Sequence, residues 1–192
     1  MEQQIAKYLA RFGISKPEEV QAIVAHMDVM VCKKGEVLLQ EGSFANQCYF
    51  IVEGCIRQYQ LIDGEEKCLD FFLEESAVIV YDSYLHHKTS SYSLDCIENS
   101  ILLAGTKEQE EALIKEHPHL NMFTLRFLTE DYNKVQDRLA SFVNLSAEER
   151  YRWVEENHPQ LLHRVPLRYL ASYIGVTPES FSRIRKRLQL KA

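Results

Sequence analysis

The carboxy end of the chain, VPLRYLASYIGVTPESFSRIRKRLQLKA (165–192), gathers Arg168, Arg183, Arg185, Lys186, Arg187 and Lys191 around a single acid, Glu179. Guanidinium forks and ammonium groups in such density donate hydrogen bonds to phosphate oxygens and to base edges. They suit recognition of a polyanion better than bond-breaking chemistry. Read alone, a basic run at a chain end is equally a solvated helix face or a complement to a helix dipole.

The surrounding grammar gives that run a frame. Pro166 can open a helix with Leu167, Leu170, Ala171 and Ile174 turned inward, and Gly175 supplies the positive φ that stops it. Val176 closes the corner, Thr177 caps a second helix and Pro178 fills its first turn. Phe181, Ile184 and Leu188 form the inward stripe of that second helix, and Ala171 is small enough for a close crossing. At 100° per residue the opposite side centres on Glu179, Ser182, Arg183 and Lys186, flanked by Ser180 and Arg187. The pattern predicts a helix-turn-helix whose second helix enters a DNA major groove. The expected DNA contacts are Thr177, Glu179, Ser180, Ser182, Arg183, Lys186, Arg187 and, from the first helix, Arg168. Arg183 suits guanine O6 and N7, Glu179 a cytosine amino group, and Ser180 a phosphate or a base. Lys186, Arg187, Arg168 and Lys191 are placed for phosphates.

Upstream of this unit lies a different architecture. Ile5, Tyr8, Leu9 and Phe12 recur at helical spacing, and Pro17-Glu18-Glu19 opens a second helix through Val20, Ile23 and Val24. From Asp28 the period falls to two. Short alternating runs are separated by Lys34-Gly35, Glu41-Gly42-Ser43, Glu53-Gly54 and the hairpin pair Asp63-Gly64, which predicts a roll, sandwich or barrel. Ser91 to Cys96 and Ser100 to Gly105 add two strands after an irregular bridge from Val80 to Ser90. Thr106 caps a helix, Pro118 starts another segment, and Leu125, Leu128, Tyr132, Val135, Leu139 and Phe142 follow at spacings of 3, 4, 3, 4 and 3. That heptad seam predicts a homodimer, the plainer reading being an amphipathic helix lying on its own roll. Ser146-Ala-Glu-Glu149 is a capping box for a helix through Tyr151, Trp153 and Val154. The expected divisions are a roll over 1–117, a dimerisation helix over 118–144 and a helix-turn-helix domain over 145–192.

Composition closes off other classes. Of 192 residues, 46% are apolar, 10% aromatic and 26% charged, with only 7 Gly and 5 Pro, as expected of a packed chain. No apolar run approaches membrane-spanning length, and MEQQIAKYLARFG carries no signal-peptide core, so a cytoplasmic protein without membrane partners is expected. Five cysteines, Cys32, Cys48, Cys55, Cys68 and Cys96, stand no closer than seven residues apart. They read as small buried side chains, with no metal site. The one His-x-His, His117 and His119, falls at a helix start, which argues against a cupin-type metalloenzyme.

The chain resembles the Crp/Fnr superfamily of bacterial transcription regulators over nearly its whole length. KKGEVLLQEGSFANQCYFIVEGCIRQYQLIDGEEK (33–67) is similar to the opening of a cyclic-nucleotide-binding β-roll, and LRYLASYIGVTPESFSRIRKRL (167–188) to the family's helix-turn-helix. The resemblance implies an α+β fold: an amino-terminal β-roll (jelly roll) with flanking helices, a long dimerisation helix, and a small all-α helix-turn-helix domain. It further implies a non-enzymatic homodimer binding double-stranded DNA at an inverted repeat, with RNA polymerase as a further partner. Glu179 and Arg183 match the family's base-reading positions. The arginine usual before that glutamate is Pro178 here, so the family's base preference does not carry over.

The departures matter as much. Cyclic AMP binders use a Gly-Glu pair at the ribose and an Arg-Ser pair at the phosphate; Ile79-Val80 and Ser90-Ser91 stand there instead. No arginine lies between Arg57 and Arg126. Cyclic AMP in the usual mode is therefore not expected, and an effector of another kind, or none, is. Tyr81, Asp82, Ser83, Ser90, Ser91 and Tyr92 are the expected pocket residues, unless side chains fill the space. The cysteine spacing does not support an iron-sulfur cluster, and haem ligation would fall to His86 and His87, whose plainer reading is a surface loop. The sequence ends four residues after Leu188, without the wing usual in the family. The alternative reading is therefore a ligand-sensing or protein-interaction module that does not bind DNA.

The net charge of −6 argues at first against a nucleic-acid partner, but it is unevenly spread. Residues 147–192 carry nine basic and five acidic groups, net +4, and the remainder 13 basic and 23 acidic, net −10. The acidic roll should be repelled from DNA and leave the basic end to face it.

Overall fold

The structure is a computed structural model and describes residues 2–190; several side chains of the long helix between 123 and 134, those of Leu125 and Leu128 among them, lie outside the description, as does Lys191. Two compact units emerge, one of residues 1–60 and 71–130, the other of 61–70 and 131–192. The division falls inside the long helix, where the sequence places its boundaries at 117/118 and 144/145.

In chain order, α1 (Glu2–Ala10) and α2 (Pro17–Ala25) precede eight strands: β1 (Asp28–Cys32), β2 (Val37–Leu39), β3 (Gln47–Glu53), β4 (Ile56–Ile62), β5 (Glu65–Phe72), β6 (Ala77–Val78), β7 (Ser93–Cys96) and β8 (Ser100–Thr106). They form two four-stranded sheets, ordered β1-β8-β3-β6 and β2-β7-β4-β5. The β4–β5 hairpin turns at Asp63 and Gly64, both at positive φ (53° and 80°), the two left-handed residues that a type I′ turn demands. The irregular bridge contains a short helix, α3 (Tyr81–His86), which ends on His87 in the left-handed region. After β8, Thr106 caps α4 (Lys107–Glu116): its hydroxyl accepts from Gln109 N at 3.2 Å and Gln109 Oε1 accepts from Thr106 N at 2.7 Å. Pro118–Leu120 form a 3-10 turn that leads into α5 (Asn121–Asn144).

Because successive strand residues face opposite sides, the first sheet feeds two cores. Tyr49 and Ile51 of β3, with Leu102 and Ala104 of β8, join Cys32, Leu39, Ala45, Ile56, Val78, Val80, Leu94 and Cys96 inside the roll. Phe50, Val52 and Leu103 point the other way and pack on Ile5, Tyr8, Leu9 and Phe12 of the amino-terminal segment. In β1 the alternation identifies the strand but not its buried side. Val29 and Val31 are exposed, whereas Met30 and Cys32 turn inward. Four of the five cysteines are buried, and Cys48 is half-buried.

The second unit holds the tip of the β4–β5 hairpin, the end of α5, and α6 (Ala147–Asn157), α7 (Leu161–Arg164), α8 (Leu167–Tyr173) and α9 (Pro178–Gln189). The short α7 has no signal in the apolar spacing. Its core is Tyr151, Val154, Leu161, Leu170, Ala171, Tyr173, Ile174, Phe181, Ile184 and Leu188. Within the same unit the backbone N–H of Cys68 donates to Ser172 Oγ at 2.9 Å, and Arg138 pairs with Asp70 at 3.4 Å while lying 4.2 Å from the Tyr173 ring centroid. The Ser146–Glu149 capping box forms, with Ser146 N donating to Glu149 Oε2 at 2.8 Å and Glu149 N donating to Ser146 Oγ at 3.3 Å. Ser146→Ala is expected to cost about 1 kcal/mol, read as an earlier urea midpoint in the fluorescence of Trp153, which sits in the capped helix. An unchanged midpoint would show that the cap contributes nothing.

Candidate functional site

The two last helices take the arrangement their sequence demands. Gly175 sits at φ +73° between them, and an added Cβ there would also meet Phe142 at 3.4 Å. Ala171 is fully buried where α8 meets α9, and Phe181, Ile184 and Leu188 form the buried stripe of α9. The opposite side of α9 is consequently turned to solvent: Glu179, Ser182, Arg183, Lys186 and Arg187 are exposed and Ser180 half-exposed. Thr177 caps the helix, its hydroxyl accepting from Ser180 N at 3.3 Å. Arg183 donates to Ser180 Oγ at 3.0 Å, and Ser182 Oγ donates back to Pro178 O at 3.0 Å. A hydrogen bond from its own backbone N–H, with the Thr177 hydroxyl next, holds the Glu179 carboxyl below the usual carboxylate range. It is therefore an anion at neutral pH, able only to accept, as pairing with an amino group requires.

Two of the basic candidates are already engaged. Arg187 pairs with Glu148 of α6, which also holds Arg152 at 3.5 Å. Arg168 donates to the Tyr169 hydroxyl at 2.6 Å and stacks over that ring. Both side chains are exposed, so these pairs are held weakly and exchange readily with a phosphate. Arg150, absent from the expected set, has a different task. It donates through Nε to Ile174 O at 2.9 Å and through a terminal nitrogen to Leu145 O at 2.8 Å, tying the end of α5 to the turn. A lone arginine aimed at carbonyls leaves no periodic signal in a sequence.

On the heptad seam, Tyr132, Val135 and Leu139 are 62%, 55% and 57% exposed, far more than a helix packed on its own chain would leave them. Phe142 is less open, with Arg150 5.0 Å and Arg138 5.7 Å from its ring centroid.

The expected effector residues are brought together only in part. Ser83 Oγ accepts from Ala45 N at 2.7 Å, Ser90 Oγ bonds the backbone of Tyr92, and Asp82 pairs with Lys88 at 3.0 Å. Ser91 offers its carbonyl to Gln60 at 2.9 Å, and Tyr81 packs toward the core under α1 and α2. These polar groups are largely spent on local structure, beside a roll interior filled by apolar side chains. Arg57 offers no phosphate clamp. It is 1% exposed and forms a bidentate pair with Asp95, its cross-strand partner, at 2.9 and 2.7 Å, with Tyr59 stacked 4.0 Å away. Ile56, Leu94 and Cys96 face the interior, so Arg57 and Asp95 lie on the other side of their sheet.

Residues 29–117 match the family model of the cyclic nucleotide-binding domain. The chain is 26% identical over 171 residues to the transcriptional activator protein Anr of Pseudomonas protegens, across 82% of this chain and 68% of that one. Its fold is similar to that of a putative transcriptional regulator of the crp/fnr family from Eubacterium rectale, with a TM-score of 0.73, 14% identity, and 96% of this chain and 88% of that one covered. Residues 29–117 thus belong to the cyclic nucleotide-binding domain family. A second protein similar in fold is the c-di-GMP-responsive global regulator CLP of Xanthomonas campestris, with a TM-score of 0.73 and 17% identity over 92% of this chain and 93% of that one. The α+β architecture expected from the sequence is present, with its roll and its carboxy-terminal helices. No helix among the described residues is long and apolar enough to cross a membrane.

Proposed function

We propose that this protein is a homodimeric transcription regulator of Crp/Fnr type that reads double-stranded DNA at an inverted repeat through α9. The observation that carries the reading is the outer face of α9, where Glu179, Ser182, Arg183 and Lys186 stand exposed on a helix fixed from behind by Phe181, Ile184 and Leu188. A helix so presented offers donors and an acceptor to base edges while its flanks reach phosphates. Control by cyclic AMP in the usual mode is not part of the proposal, because Ile79-Val80 and Ser90-Ser91 stand where the ribose and phosphate contacts are expected and the Ser90 hydroxyl is bonded to the backbone of Tyr92.

Selection of bound fragments from random duplex DNA at a stated salt concentration tests it. The expected product is an inverted repeat with half-sites about 34 Å apart; an unenriched pool would leave a module that does not bind DNA. Within the selected site, Arg183→Ala should lower affinity by about 1–3 kcal/mol and relax one base position. Arg187→Ala should instead weaken all sequences alike and shallow the salt dependence. Equal losses on specific and random DNA for both variants would refute this division of labour.

A further inference from the structure

Outside the cyclic nucleotide-binding site, the first unit contains an apolar cavity of ≈ 140 Å³ between α1, α2, β3 and α4. Ile5, Leu9, Ile23, Phe50, Ile79 and Leu113 contribute apolar side chains to its wall. Protein interiors close-pack, and a void of this order is large enough to hold a single aromatic ring. Its wall is not uniformly apolar. Cys48, Tyr84 and Glu110 also face it, with Tyr84 Oη donating to Glu110 Oε2 at 3.0 Å and Cys48 Sγ donating to Gly105 O at 3.4 Å. His26 adds an acceptor: its Nδ1 lies 2.8 Å from Ala22 O, which can only accept, so in the neutral ring the hydrogen is on Nδ1 and Nε2 carries a lone pair. An apolar wall with a few convergent polar groups is the composition of a small-molecule site. Burial pushes the Cys48 thiol up to about 11, so it adds no charge at neutral pH. The Lys107 ammonium, 5.9 Å from the Tyr84 ring centroid, already attends the acidic side, which disfavours a cationic ligand.

We propose that this cavity is a ligand site for a small neutral molecule with one aromatic ring or a short branched chain and a single hydroxyl group, its apolar body among α1, α2 and β3 and its hydroxyl donating to Glu110. The site is independent of DNA recognition by α9 and stands or falls without it. A ligand here would brace α1 and α2 against the sheet.

Titration of the full chain with benzyl alcohol and with toluene, followed by methyl NMR, tests the proposal. Benzyl alcohol should saturate with a dissociation constant on the order of 1 mM or tighter, shifting the methyl groups of Met27, Ile5, Ile23 and Leu113. Filling the space with Ala77→Phe, or from the other wall with Ile114→Phe, should weaken binding at least tenfold in a variant whose melting temperature is retained. Glu110→Gln should weaken benzyl alcohol more than toluene. Shifts that never saturate, shifts that map to other methyl groups, or folded cavity-filled variants that bind like the parent would each overturn it.

Discussion

Asp95→Ala is expected to destabilise the roll by about 3–5 kcal/mol, because it takes the bidentate carboxylate from the Arg57 guanidinium in a site where only 1% of that residue reaches solvent. The bidentate pair at 2.9 and 2.7 Å is the acid counterpart that makes the buried charge tolerable. Tyr59, at 4.0 Å from the guanidinium, supplies a ring face but no counter-charge. Removing both partners at once has a different outcome. The double variant Arg57→Met, Asp95→Leu should recover most of the loss, since a well-packed apolar pair replaces a buried ion pair at little cost. Urea unfolding followed by far-UV circular dichroism reads the whole chain, while Trp153, the single tryptophan, reads the second unit, so a transition seen in the first signal and not in the second belongs to the roll. A single variant as stable as the parent, or a double variant as unstable as the single one, would show that the pair is not the source of that stability.

Leu139→Glu is expected to abolish self-association and to lower affinity for an inverted repeat by about 10²–10⁴-fold, the loss when a second half-site is no longer tethered. Leu139 lies in the seam with Tyr132 and Val135, and all three are more than half exposed in the single chain. A buried pair of glutamates across a two-fold seam would add repulsion and desolvation together. Asn133→Glu adds the same charge to an exposed position off the seam and should leave the dimer intact. Analytical ultracentrifugation with DNA titration at fixed salt separates the two. A Leu139→Glu protein that still sediments as a dimer would sink the assignment of the seam.

The helix-turn-helix was legible in the sequence because its constraints are local. Gly175 at positive φ, Thr177 as cap, Pro178 in the first turn and the Phe181, Ile184, Leu188 stripe depend on residues within one or two turns of one another, where backbone sterics and helical period leave few alternatives. The cap at Thr106, the capping box at Ser146 and the Asp63-Gly64 turn were legible for the same reason. Strand faces were not. The apolar alternation in β1 marks Val29 and Val31, yet Met30 and Cys32 turn inward, because pairing with β8 fixes which side of β1 meets the core.

Contacts between residues far apart in sequence lie beyond such reading. The bond from Cys68 to Ser172 spans 104 positions, and Arg57 and Asp95 meet only because β4 and β7 align in register. The cavity lined by α1, α2, β3 and α4 is likewise the product of imperfect packing between elements, each of which is unremarkable alone. By itself the sequence determined the types of the longer elements, the turns, the basic face of α9 and the opposite charge of the two ends, all properties of period, φ and residue type. The tertiary structure alone decided which faces are buried, which arginines are engaged, and where space remains, because those depend on pairing and packing energies summed across elements distant along the chain.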